Sequence, residues 1–152
     1  MKKSIFFMFA ITAILVSCDK SEKQDEEPAK VLESTDYSGA LTVNASSGTF
    51  TTDSIKVSFT ATEKTDSASI TLFQVKFTPR MPVTLDVTVP GIVVTKTEKG
   101  AVLTCERVVP LAMGGEFPNY TVNGFEGEIV DDELTFSLNF GSTPTSYQGK
   151  AL

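Results

Sequence analysis

Gly127-Glu128-Ile129-Val130-Asp131-Asp132-Glu133-Leu134-Thr135-Phe136-Ser137-Leu138-Asn139-Phe140 is the stretch on which the fold turns. Leu134, Phe136, Leu138 and Phe140 alternate with Thr135, Ser137 and Asn139. A period of two marks a strand with one dry face and one wet face. Val130-Asp131-Asp132, just before it, is a polar turn signal. The three adjacent carboxylates Asp131, Asp132 and Glu133 also raise calcium, which collects carboxylate oxygens. Consecutive residues of a strand cannot all aim at one ion, and the calcium-loop spacing is missing, so a hairpin turn is the better reading.

The same period recurs along the chain. Tyr37, Gly39, Leu41 and Val43 alternate with Ser38, Ala40, Thr42 and Asn44, and Ile55, Val57, Phe59 and Ala61 alternate with Lys56, Ser58, Thr60 and Thr62. Val83, Leu85, Val87 and Val89 follow the same rule. Ser69 to Phe77 changes phase near Leu72-Phe73, which predicts a bulge or a strand covered on both faces. Ile92 to Thr97 and Ala101 to Val108 flank Glu98-Lys99-Gly100, a hairpin pattern. Tyr120 to Val130 holds Gly124 and Gly127, so it is expected to bend sharply or to admit a close backbone approach. Ser46-Ser47-Gly48, Lys64-Thr65-Asp66, Pro79 to Pro82 and Pro90-Gly91 punctuate these runs as turns. Pro110 to Pro118 reads as a crossover loop or a single helical turn. No segment sustains helical periodicity. About eight strands joined mostly by short turns make a meander, which closes into an antiparallel up-and-down barrel. An immunoglobulin-like β-sandwich is the alternative, since alternation does not distinguish the two.

Lys2 and Lys3 precede an apolar run from Ile5 to Val16, broken only by Thr12, and then Ser17-Cys18. A basic start, a short apolar core and small residues before a cut mark a secretory signal peptide. The run is too short to span a bilayer as a mature helix, which takes about 20 residues. Leu15-Val16-Ser17-Cys18 resembles a bacterial lipobox, whose cysteine is lipidated and becomes the new N-terminus. The expected organisation is a signal peptide over residues 1–17, a lipidated Cys18 with a flexible acidic tether over residues 18–36, and a β domain over residues 37–152. The tether is charged and polar as far as Lys30, and its Asp25-Glu26-Glu27 resembles the surface-export signal of Bacteroidota lipoproteins.

Composition narrows the chemistry. Without residues 1–17 the chain keeps 11 of its 13 basic residues against 19 acidic ones, a net charge of −8. That argues against nucleic acid, which selects lysine and arginine. The chain has no histidine, so the commonest general base and metal ligand are missing. It has no tryptophan. Cys105 is the only cysteine besides Cys18 and reads as a small buried hydrophobe.

Asp36-Tyr37-Ser38-Gly39-Ala40-Leu41-Thr42-Val43, then Met81-Pro82-Val83, Pro90-Gly91-Ile92 and the strand–turn–strand ending at Phe136, all behind a lipobox, form a pattern. It resembles the calycin-like β-barrel domain of Bacteroidota lipoproteins over residues 36 to about 150. The resemblance implies an eight-stranded lipocalin-like barrel on an outer-membrane lipoprotein, at its periplasmic or surface-exposed face. It brings no cofactor and no catalytic residues. The chain lacks the Gly-x-Trp motif of true lipocalins.

No catalytic constellation emerges. A serine triad lacks its base. Gly114-Gly115 is too brief to cradle phosphate and no Gly-Lys-Ser/Thr follows. Arg80 and Arg107 read as lone solvated charges. A non-catalytic binding role is expected, with no cofactor and no metal. Phe59, Phe73, Phe77, Phe125, Phe136 and Phe140 are the candidates to line a lumen holding a small apolar ligand, a size of site that eight strands can enclose. Alternatively, rim loops such as Ala45 to Thr49 and Pro110 to Asn119 bind an envelope protein or a glycan, with Phe117, Asn119 and Tyr120 as the contact patch. The membrane is the remaining partner, through the N-terminal lipid. Each buried methylene of such an anchor contributes about 0.8 kcal/mol, and stable attachment takes more than one chain. Replacing Cys18 with Ser is expected to release the protein from the membrane fraction and to change its electrophoretic mobility.

Overall fold

The inward faces of eight strands meet in one core because buried and exposed residues alternate along them, with a change of phase at each bulge. In the computed structural model, residues 32–62 and 66–152 are described. The apolar start, Cys18 and the tether up to residue 31 lie outside them, as do Lys64 and Thr65 of the expected turn. The strands are β1 (Thr35–Ala45), β2 (Gly48–Ala61), β3 (Ser67–Val75), β4 (Leu85–Thr97), β5 (Gly100–Val108), the two-residue β6 (Leu111–Ala112) and β7 (Gly115–Glu116), β8 (Val122–Val130), β9 (Glu133–Phe140) and β10 (Thr143–Ala151). Each long strand pairs antiparallel with its neighbour in sequence, β5 passes to β8, and β10 returns to β1. Pairing of β3 with β4 completes the circle. The fold is a closed eight-stranded antiparallel barrel of lipocalin-like form, and the sandwich alternative is excluded because one continuous sheet closes on itself.

Four bulges give the long strands their curvature, and each contains a residue in the left-handed region. Register slips by one residue at Asp53-Ser54 of β2, Phe73-Gln74 of β3, Pro90-Gly91 of β4 and Gly124-Phe125 of β8. Ser54, Gln74, Gly91 and Gly124 have φ of 61°, 56°, 68° and 60°. A bulge sharpens local twist, which a closing sheet needs. The phase change expected in β3 and the bend expected in β8 are both present.

Pro90-Gly91 is a correction to the sequence reading. The two residues interrupt the alternation, so Val83–Val89 and Ile92–Thr97 read as separate strands. They are one 13-residue strand with a bulge, in which Val89 and Ile92 both stay buried. Val83 is not in it; the strand starts at Leu85 and Val83 is exposed. A second correction balances the count. β10 has no sequence counterpart above, because its inward residues are Thr145, Tyr147 and Gly149 and only tyrosine among them is large and apolar. Pro110 to Pro118 holds the β6–β7 hairpin, and a single 3-10 turn follows at Pro118–Tyr120.

The even number of strands gives the barrel two unlike ends. The chain enters at Glu33 and ends at Leu152 on the same side, where Leu152 N–H donates to the Asp36 carbonyl at 2.9 Å and Ala151 N–H to that of Asp132 at 2.7 Å. Glu98-Lys99 and Asp131-Asp132 turn there too. The opposite, distal end carries the Ser46-Ser47 turn, the segment 76–84, the segment 109–121 and the Gly141-Ser142 turn. There Gly141 N–H donates to the Thr121 carbonyl at 2.9 Å.

Gly39 of β1 sits opposite Gly149 of β10. A Cβ on Gly39 would lie 2.0 Å from the Gln148 carbonyl oxygen, and one on Gly149 would meet the Tyr147 ring. The contact at Gly39 is with backbone, which no rotamer change relieves. Gly39→Ala is expected to destabilise the barrel by about 3 kcal/mol, the upper range for overpacking. Gly115→Ala, with open space around it, is expected to stay within about 0.5 kcal/mol. Urea unfolding of the two variants checks the contrast.

Candidate functional site

Lumen, rim and outer wall are the three places where a site can be built on this frame. In the lumen, Phe59, Phe125 and Phe140 are 1% exposed, and Val57, Ile70, Leu72, Val87, Val89, Ile92, Leu103, Val122 and Leu134 are fully buried. A side chain with no accessible surface has no water-sized void beside it, so these residues fill the barrel. Phe125, Phe136 and Tyr147 stack in a row across β8, β9 and β10, with ring centroids 5.2 Å and 5.1 Å apart. The Tyr147 hydroxyl donates to the Ile55 carbonyl at 3.2 Å, which ties β10 to β2 across the interior. Among the described residues no buried side-chain polar atom lacks a partner.

Of the six phenylalanines expected to line a lumen, Phe59, Phe77, Phe125, Phe136 and Phe140 do project inward. Phe73 does not. The β3 bulge buries Leu72 and Val75 and turns Phe73 to the outer wall, half-buried, with the Lys56 ammonium 5.5 Å from its ring centroid. Lys56 also pairs with Asp36 at 2.8 Å. The Lys56 ammonium and the Ser58 hydroxyl hold the Asp36 carboxyl below its usual range. All of these groups lie on the outside of β1, β2 and β3.

At the distal rim an aromatic ladder runs outward from the core. Phe140 meets Phe77 edge-on at 4.9 Å, Phe77 stacks on Tyr120 at 4.4 Å, and Tyr120 stacks on Phe117 at 4.9 Å with the rings 2° from parallel. Phe77 is buried, whereas Phe117 and Tyr120 are half-buried. The two rim aromatics therefore close the end of the barrel and present a partial surface to solvent. The 3-10 turn holds them in register: Tyr120 N–H donates to the Phe117 carbonyl at 3.1 Å. Asn119, exposed between them in sequence, is also brought to this rim.

The outer wall is polar. Ser38, Thr42, Thr60, Thr71, Glu126, Glu128, Thr135 and Ser137 alternate with the buried residues of their strands. Val93 and Val102 are the large apolar side chains exposed on it along β4 and β5. Shallow grooves indent the wall among the described residues, including one of about 550 Å³ beside Asp131, Asp132 and Glu133. A second, of about 580 Å³, crosses β5, β8, β9, β10 and β1 and holds Thr42, Glu126, Ser137 and Ser146. A third, of about 720 Å³, lies against the β6–β7 hairpin and holds Asp86, Leu111 and Met113. Neither of the last two was legible in the sequence, which placed the candidate residues in the lumen and at Phe117 to Tyr120; the one available signal was methionine before Gly114-Gly115 between two prolines. Cys105, expected to be buried, is half-buried on β5, and desolvation pushes its thiol pKa up. Among the described residues no cluster of three or more acidic or cysteine side chains is arranged to hold a metal.

No family model, no curated protein and no solved structure matches the chain.

Burial pushes the Tyr147 pKa up to about 12, from 10.0. A raised acid pKa leaves stability untouched below pH 10, where both states hold the proton. Between pH 10 and 12 the unfolded chain releases it and the folded chain does not, so stability falls as pH rises. Tyr37 is shifted the same way, also by burial. The urea midpoint is expected to drop over that window, and the drop is expected to shrink in Tyr147→Phe.

Proposed function

We propose that this chain is a lipid-anchored cell-envelope protein of the calycin-like lipoprotein class, whose barrel is a rigid, non-catalytic support for recognition at its distal rim. Cys18, in Leu15-Val16-Ser17-Cys18, is the lipidation site, and the outer membrane is the compartment that this anchor implies. The partner is an envelope protein or a glycan.

One observation carries this reading: the two longest described connections, 76–84 and 109–121, open on the end opposite Glu33, where the tether joins. A domain held at one end offers its other end to partners. Loops on a rigid frame are the usual place for recognition. Phe117, Asn119 and Tyr120 stand at that end. The second reading, a small apolar ligand inside the barrel, is the weaker one, because a ligand would have to displace side chains that already fill the space. Absence of histidine supports a non-catalytic role.

Photo-crosslinking in intact cells tests the proposal. A benzophenone side chain at Asn119 is expected to yield a discrete protein adduct or a glycan-shifted band, and the same group at Asp131 none. Adducts at Asp131 alone, or equal labelling at both positions, would refute it.

A further inference from the structure

Val83, Leu111 and Met113 are large apolar side chains at the distal end that the fold leaves in water, at 58%, 42% and 82% exposure. They gather at one place. Leu111 and Met113 wall the groove of about 720 Å³ described above, and Val83 precedes Thr84, which also lines it. Cross-strand pairing sets Leu111 beside Thr88 of β4 on one side and Glu116 of β7 on the other. Paired residues share a face of the sheet. Asp86, two residues from Thr88, lies on that face too and lines the groove. Its carboxylate accepts the backbone N–H of Gln74 at 2.9 Å, at the β3 bulge, which fixes its position. The exposed Leu111 therefore has the Glu116 carboxylate as its cross-strand neighbour and shares the groove with that of Asp86, and among the described residues neither carboxylate has a cationic partner.

The hairpin tip carries a second signal. Met113 and Gly114 have φ of 54° and 81°, the conformation of a two-residue turn that selects asparagine and glycine. Methionine is a poor choice for that backbone and a poor choice for a site exposed to water. The turn geometry itself does not account for methionine at this position.

We propose that this groove is a docking site for an extended, basic segment of a partner protein. Arginine or lysine stems lie along Leu111 and Met113, and their charged heads reach Asp86 and Glu116. Long cationic side chains combine an apolar stem with a charged tip, which matches this pattern of leucine and methionine beside carboxylates. The net charge of −8 for the chain after residue 17 favours the same partner. The inference rests on recognition at the distal end and names the chemistry of the protein recognised there.

Two fluorescent peptides test it on the full chain as the cell makes it: one alternates arginine with leucine, the other replaces every arginine with glutamate. The arginine peptide is expected to bind, to shift the methyl resonances of Leu111 and Met113, and to weaken with added salt. Asp86→Asn, which keeps an acceptor for Gln74, and Glu116→Gln are each expected to weaken it about threefold. Met113→Asn is expected to raise the thermal midpoint while weakening the peptide, a combination that damage to the fold does not produce. Equal binding of both peptides, no binding of either, or unchanged affinity in both charge variants would overturn the proposal. Shifts confined to the Phe117 and Tyr120 rings would overturn the groove and leave distal-end recognition standing, which the Asn119 cross-link reads separately.

Discussion

Closure through the β3–β4 ladder is the constraint on which the rest of this structure depends. Without it the sheet has two free edges, and unpaired strand edges invite association with other chains. With it, eight strands surround a space that side chains alone can fill. The ladder is not regular: it slips once on each strand, at Phe73-Gln74 and at Pro90-Gly91. Gln74 and Gly91 take left-handed backbone conformations to allow this. The seam is thus the most distorted ladder of the barrel, and its distortion has visible consequences outside it. Phe73 is turned to the outer wall, and the Gln74 amide is delivered to Asp86.

Filling follows from closure. Phe125, Phe136 and Tyr147 stack across three neighbouring strands, and Gly39, Gly127 and Gly149 leave out side chains where backbones or rings approach. Large and absent side chains at adjacent positions let one layer interlock with the next. Tyr147 shows the balance involved. Its ring occupies the space over Gly149, and its hydroxyl finds the Ile55 carbonyl, so a polar atom enters the core without an unmet hydrogen bond.

The sequence makes the barrel legible wherever the inward residues are all apolar, as in β9 and in β2 from Ile55 onward; the first half of β2, Gly48 to Ser54, is mostly exposed and polar and does not read as strand. The sequence fails where the pattern depends on something other than hydrophobicity. β10 is hidden because a threonine and a glycine face inward beside Tyr147. β4 is divided because Pro-Gly is a turn signal in most contexts and a bulge in this one. These two errors cancel, so an estimate of about eight strands agreed with the barrel for partly wrong reasons. Phe73 was misplaced because a one-residue slip moves a side chain to the other face. Phe117, Asn119 and Tyr120 were brought together as read, since they are close in sequence. The groove beside Met113 was out of reach, because it joins β3, β4 and the β6–β7 hairpin, which meet only after the barrel closes.

Strand parity links the architecture to its use. In a meander with an even number of strands, the chain enters and leaves at one end. The connections at that end must fit around both termini, and the described turns there, Glu98-Lys99 and Asp131-Asp132, are two residues long and charged. The other end is free of termini, and there the longer segments 76–84 and 109–121 have room to fold back. They bring prolines, aromatics and the exposed Val83, Leu111 and Met113 with them. The contrast between short charged turns at one end and longer connections at the other follows the strand parity of the barrel. Loops on a rigid frame are the usual place for recognition, and in this barrel the longer described ones fold at the end that holds neither Glu33 nor Leu152.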